Sequence, residues 1–272
     1  MLVQKAFLRE RAEGCTMKRW MGSSLLAAAI ALCAALPAAA LTEHQWEAQA
    51  GQQEYQTLQK QGVILHSSPY YRILNPIAAR IAKVADQQYD FPFHFYLVHM
   101  KQPNAFAVPG GNVYVTDSLM TFVQNQQELA GVLCHETSHD IHHDVYNLMQ
   151  KNQRLNVMAT LADLLFGGGK NRVVNTVLGI GTQLESLRFS REVEQNADRK
   201  GAFTCAAAGM NPWGMVWLFR RFENTNMASP PEFLSDHPGD AERITALENL
   251  FHENPTVFGR FNPNVRSATP LK

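Results

Sequence analysis

The stretch "GVLCHETSHDIHHDVY", residues 131–146, holds four of the chain's ten histidines within nine positions. His135, Glu136 and His139 form an H-E-x-x-H pattern. On a helix, His139 lies about 40° round from His135 and one turn further on, so both imidazoles can reach one ion. Glu136 lies about 100° round, flanks the same point and can act as general base toward a water that the ion activates. His139 and His143 also stand four apart, as H-D-x-x-H, but Asp140 is shorter than a glutamate and reaches less far. His135 and His139 are therefore the preferred pair. His142 and His143 read as solvated or supporting side chains near the end of that helix. Gly131 shares the ligand face and leaves room for a second element. Ala130, Leu133, Cys134 and Ile141 turn the other way and can enter a core.

A catalytic zinc site takes three protein ligands and keeps one position open. No third histidine follows at the spacing that would supply the last ligand locally, so it must come from another element. "SREVEQNADRKG", residues 190–201, offers Glu194 and Asp198, four apart on one helical face, with Ala197 and Gly201 small enough for close packing. Glu194 could ligate, and Asp198 could hold a ligating imidazole in one tautomer. The same pair also suits a solvated charged face, and Glu185 and Glu192 rival Glu194 on spacing alone. Two imidazoles and a carboxylate suit one Zn2+ per chain.

The elements that must position these residues are mostly helical in pattern. Residues 43–62 are polar, free of proline and closed by Gly62; residues 68–87 carry Ile73, Leu74, Ile77, Ile81 and Val84 at helical spacing. Residues 91–100 alternate and are aromatic, which predicts a strand, and 105–117 read as two strand pieces around Pro109-Gly110-Gly111. Residues 126–150 read as one long helix carrying the histidines, 190–209 as a second and 211–222 as a third, with another following the proline-rich loop near 230. Residues 154–184 are apolar and punctuated by glycines. They suit a lid or a membrane-surface element beside the cleft, and equally a plain pair of core helices. After Asn254 the chain is rich in Pro and Asn, which predicts a loosely ordered tail over 254–272.

Residues 1–40 read as an upstream extension followed by a secretory signal: "MKRW", an apolar run, then Ala38 and Ala40 at cleavage positions, with cleavage after Ala40. That leaves a domain over 41–253 with Cys134 and Cys205. Cys205 lies about 16 Å along its helix from Glu194, and Cys134 adjoins His135. If His135 and Glu194 share an ion, the two sulfurs are expected to lie too far apart to bond and to remain buried free thiols. The formal net charge is zero, which gives no electrostatic case for nucleic acid. Nothing in the sequence sets the oligomeric state.

Four motifs, "NAFAVPGGNVYVTDSL", "ELAGVLCHETSH", "SREVEQNADRKG" and "SDHPGDAERITAL", occur in this order. Over about residues 43–250 they resemble the membrane-linked zinc metallopeptidases of family forty-eight, a gluzincin group that includes the CAAX prenyl protease, HtpX, BepA and LoiP. The lack of membrane spans after residue 40 and of a helical-repeat tail makes the short periplasmic type the nearer match. The resemblance implies an α+β, mostly helical, zincin-like protease with a small sheet whose edge strand borders the cleft. It implies His135, His139 and Glu194 as metal ligands, Glu136 as catalytic base, and Asp198 as the acid one turn after the third ligand. Asn104 and Ala107 would lie on the edge strand beside an extended substrate. His237 matches a histidine near the metal, able to stabilise an oxyanion or to block the ion. Polypeptide substrates, unfolded or outer-membrane proteins of the envelope, follow from the same likeness, with peripheral membrane contact through 154–184. A chaperone that grips such proteins at the edge strand is the alternative. The chain departs from the family at Asp144, where a histidine is common, and at Asn196, where the motif before Asp198 commonly has glutamate.

Overall fold

The computed structural model describes residues 41–153, 189–224, 233, 237 and 241–271. The leader over 1–40, the segment 154–184 and Glu185 lie outside the described residues. Thr42 starts helix α1 (Glu43–Gln61) with a capping box shared with Gln45, and Gly62 ends it in the left-handed conformation, φ 71°. Helix α2 (Tyr71–Ala85) buries Leu74, Ile77 and Ile81 on one face. Strands β1 (His94–Val98), β2 (Ala105–Val108) and β3 (Asn112–Thr116) form a mixed sheet in the order β1-β3-β2. β1 runs parallel to β3 and β2 antiparallel to it. The β2–β3 turn uses Gly110 and Gly111 at φ 94° and 84°, which side chains rarely adopt.

Alternation sends Leu97, Ala105, Val113 and Val115 into the main core, and Val98, Val108 and Tyr114 into a smaller cluster with Leu58 of α1. Helix α3 (Asp117–Phe122) leads into α4 (Gln126–Ile141), capped by Asn125. Every residue of α4 from Glu128 to Asp140 is buried. Around it lie the hairpin, α2, α6 (Arg191–Ala207) and α7 (Trp213–Asn224), followed by α8 (Ala241–Glu253) and α9 (Pro255–Phe258). The fold is α+β and mostly helical, as the resemblance implies.

The single helix expected over 126–150 is broken. His143 adopts φ 55°, and helix α5, at residues 144–153, follows the turn. The His143 Nδ1 lies 2.9 Å from the buried Glu47 Oε1 and 3.1 Å from Glu43 Oε1, so this partly exposed ring supports α1 and is not directed at the other histidines. The tail is not loose either. Gln126 N–H donates to Thr269 O, Leu271 N–H donates to Gln124 O, Trp217 Nε1 donates to Pro263 O, and Phe258 and Leu271 are buried. A helix N-terminus leaves backbone donors unsatisfied, and this irregular segment brings α4 an acceptor that Pro/Asn composition does not reveal.

The free-thiol expectation is also overturned: Cys134 and Cys205 are disulfide-bonded, with Cα atoms 5.8 Å apart. Helix α6 runs back along α4. Glu194 meets His139 and His135, Asp198 meets His135, and Gly201 abuts Cys134. Long side chains let Glu194 and His135 converge while their backbones stand apart, so eleven further residues bring Cys205 alongside Cys134. Removing the bond, which spans 71 residues, through Cys134→Ala with Cys205→Ala is expected to cost roughly 2–4 kcal/mol of stability. Denaturant unfolding with and without reductant measures this, and reduction should release two further thiols from the denatured chain.

Candidate metal centre

His135 and His139 project from one face of α4, with their Nε2 atoms 3.2 Å apart. Glu194 on α6 brings Oε2 to 3.4 Å from His135 Nε2 and Oε1 to 3.9 Å from His139 Nε2. This approach needs Gly201, where a Cβ would come within 3.0 Å of the Cys134 carbonyl and the His135 nitrogen. Gly131 plays the equivalent part toward α7, not α6, because a Cβ there would meet Met215 N at 2.9 Å. His237 completes the group: its Nδ1 lies 3.3 Å from His135 Nε2 and 3.0 Å from Glu194 Oε1. Donor atoms of all four side chains fall within 4.8 Å of one another, and all four residues are buried.

These residues fit a divalent ion. A tetrahedral site with bonds of about 2.1 Å sets its ligand atoms roughly 3.4 Å apart, close to the spacings seen here. The far nitrogen of each α4 imidazole faces a carboxylate. His135 Nδ1 is 3.0 Å from Asp198 Oδ1, off the line of a linear hydrogen bond, and His139 Nδ1 is 2.8 Å from Asp144 Oδ2. His139 Nδ1 faces Asp144 and His135 Nδ1 lies beside Asp198, so both Nε2 atoms turn to the same point, where a cation would join them.

Charge in the pocket is balanced by Arg243 of α8, fully buried at 1% exposure. Its Nε and Nη2 donate to Asp198 at 2.6 and 2.7 Å, and Nη1 lies 3.0 Å from Glu194 Oε2. Nη1 also donates to the His237 carbonyl, and the guanidinium stacks over Phe219. Despite burial, which opposes it, Arg243 and His135 hold the Asp198 carboxyl below the usual range. Burial likewise opposes ionisation of Glu194, yet His237 and His135 hold its carboxyl far down. Burial would lower His135, but Asp198 and Glu194 raise it to about 9. Burial and the neighbouring His135 push His139 well down.

Glu136 sits beside the cluster. Its Oε2 accepts the Ala107 N–H at 3.0 Å, and its Oε1 faces His237 Nε2 at 3.5 Å. Burial pushes this carboxyl upward. Ala107 thus lies at the edge of β2 facing α4. Asn104 is buried, and its backbone turns to Thr116: its N–H donates to Thr116 Oγ1, and its carbonyl accepts from Thr116 N–H. Glu192, a rival of Glu194 on spacing, is exposed.

Three contributors escaped the sequence reading. Asp144 stood there only as a departure from the family, although one helical turn separates it from Asp140. Arg243 lies six residues after His237 in a quoted motif, and its position in the sequence does not mark it as buried. Phe189, whose ring stacks on His139 at 4.5 Å, carried no motif at all.

The model of peptidase family M48 matches residues 72–251. The chain is 32% identical to a β-barrel assembly-enhancing protease of Yersinia pestis over 208 residues, 66% of this chain and 42% of that protein. It is 28% identical to the Escherichia coli K12 protein of the same name, over 75% of this chain and 43% of that one. The mitochondrial metalloendopeptidase OMA1 of Schizosaccharomyces pombe is 27% identical over 60% of this chain and 48% of its own length. The chain thus spans less than half the length of these relatives.

Arg243→Met should leave the buried Glu194 and Asp198 carboxylates uncompensated, costing about 3–5 kcal/mol and lowering metal content. Arg243→Lys keeps the charge without the fork and should fall between. Unfolding curves and elemental analysis of the purified variants decide; unchanged metal and stability in Arg243→Met would refute the anchoring role.

Proposed function

The chain belongs to peptidase family M48, and from that premise we propose a zinc-dependent endopeptidase acting on unfolded or misassembled envelope proteins. The convergence of His135, His139 and Glu194 beside Glu136 carries this reading. When bound, the metal supplies a Lewis acid for the scissile carbonyl and lowers the pKa of a water. Glu136 divides the remaining work between its two oxygens. Oε2 is pinned by the Ala107 N–H, which fixes the orientation of the carboxylate. Oε1, turned into the site and raised in basicity by burial, takes the proton from the attacking water and passes it to the leaving amine. The edge of β2 offers main-chain groups to an extended polypeptide, and Asp198 and Asp144 hold the two imidazoles in register.

His237 has a double position. Its Nδ1 stands where a fourth ligand would, and its Nε2 faces Glu136. In this arrangement it closes the site; swung aside, the same ring could face a developing oxyanion. The closed arrangement supports a second reading, in which the protein grips envelope proteins at β2 with little cleavage. Among the described residues no helix is long and apolar enough to cross a membrane. The disulfide fits an oxidising compartment. It supports export by a signal cleaved near Ala40 into the periplasm, with 154–184 making any peripheral membrane contact. The names of the bacterial relatives point to β-barrel assembly, and substrates of that class are part of the proposal.

Glu136→Gln should retain one zinc per chain and lose at least about 100-fold in cleavage of an unfolded β-barrel protein, the effect of removing a general base. His237→Ala should raise cleavage several-fold if the ring blocks the fourth position. Metal analysis with a gel-based proteolysis assay tests both. Wild-type cleavage by Glu136→Gln would exclude the mechanism, and suppression of aggregation by a Glu136→Gln protein would support the gripping role.

A further inference from the structure

The outer face of the sheet carries a row of aromatic rings across all three strands. Tyr96 of β1 stands opposite Tyr114 of β3, and Tyr114 opposite Phe106 of β2. The ring centroids are 5.4 and 5.2 Å apart and the rings tilt by only 25° and 23°. Tyr55 of α1 closes the row at the β1 side, 5.3 Å from Tyr96. Tyr114 is fully buried, while Phe106 is partly exposed. At its other end the row therefore stops on Phe106. No described strand pairs with the outer edge of β2.

That edge is also where the chemistry sits. Alternation puts Ala105 and Ala107 on the inner face toward α4, and Phe106 and Val108 on the outer face. The Ala107 N–H lies in the plane of the strand and reaches Glu136. A polypeptide laid beside β2 with its scissile bond at Glu136 must follow the same alternation. The residue opposite Ala107 turns inward to the metal ligands, and its neighbour on one side turns outward, level with Phe106. Neighbouring strands lie about 4.8 Å apart, close to the ring spacings already in the row. A ring on that substrate residue would extend the row as its fifth member. On the other side the outward neighbour meets Val108, which is fully buried and offers no comparable surface.

The geometry points to Phe106 as a specificity-determining residue: the protein selects extended polypeptides with an aromatic residue in register with Phe106, next to the cleaved bond on the outer face. On the inner face the small, partly exposed Ala107 side chain leaves space for varied residues. Substrates with aromatic residues at one position of an alternating pattern, as in amphipathic β-strands, are the class this selects. The inference rests on the peptidase reading for the placement of the chain at β2.

One peptide series tests it, with Phe, Leu, Ala and Glu placed in turn at each position around the cleaved bond. Cleavage by the full chain gives kcat/KM, and fluorescence anisotropy with a Glu136→Gln protein gives Kd for the same peptides. One position should favour Phe over Ala by about threefold to tenfold, as for a cross-strand aromatic pair. In Phe106→Leu, which keeps an apolar side chain without the ring, and in Phe106→Ala, that ratio should fall below about twofold. A ratio within one protein does not depend on the fraction folded, so loss of overall rate does not disguise the result. Absence of any aromatic preference, or a preference unaltered by both substitutions, overturns the inference while Glu136-dependent cleavage leaves the peptidase reading standing. Aromatic-selective binding that depends on Phe106, without cleavage, would keep the inference and remove the peptidase reading.

Discussion

Two buried imidazole nitrogens, 3.2 Å apart, face each other with acids on their far sides. Most of the structure answers to that constraint. Bare lone pairs so close repel unless a cation joins them, and the acids that orient the rings are themselves buried charges. Asp198 and Glu194 need Arg243, and Arg243 needs a place to stack, which Phe219 supplies. A buried carboxylate without a partner costs several kcal/mol, so the metal site extends in practice to α8. The disulfide joins the helix of the first two ligands to the helix of the third, one residue before His135, and holds the helices together where Gly201 allows contact.

The second constraint comes from burying α4 on all sides. A polar residue on such a helix must find a partner, since an unpaired buried group costs about 1–3 kcal/mol. Thr137 and Ser138 turn back to the Cys134 carbonyl. Glu136 and Asp140, one turn apart, instead reach out to the hairpin, accepting the N–H groups of Ala107 and Gly111. The helix thereby fixes the register of the edge strand against Glu136. Behind it, Gly110 N–H donates to the Tyr89 hydroxyl, and Tyr89 donates to Glu47. This chain ties the hairpin turn to α1, and His143 completes it at Glu47, which is why α4 must end where it does.

The ligand helix was legible because H-E-x-x-H states chemistry and spacing together; the α-helical period alone places His135, Glu136 and His139 correctly. Glu194 was only one of several candidates until the ordered motifs singled it out, since a carboxylate from a distant helix has no local signature. The disulfide was misread for a related reason. Distance along one helix is not distance from the other, because the antiparallel course of α4 and α6 brings Cys205 beside Cys134 eleven residues beyond Glu194. The tail was misread because composition reports what a segment cannot form by itself, not the donors on another helix that it can satisfy. Asp144 shows the limit of comparison: its identity departs from the family pattern, yet its carboxylate performs a support role for His139 that the departure alone does not suggest.

How could His237 leave the site without dismantling it? Arg243 touches both sides of the question. Its Nη1 donates to the His237 carbonyl at 3.2 Å, while Nε and Nη2 grip Asp198 at 2.6 and 2.7 Å. Turning the His237 ring aside gives up its contacts with Glu194 at 3.0 Å, His135 at 3.3 Å and Glu136 at 3.5 Å, and leaves the Arg243–Asp198 fork intact. Charge-assisted pairs are roughly twice as strong as bonds to a neutral carbonyl. His135, His139 and Glu194 are set by α4 and α6, with Arg243 gripping Asp198 and Glu194, and the His237 ring can turn without breaking that grip.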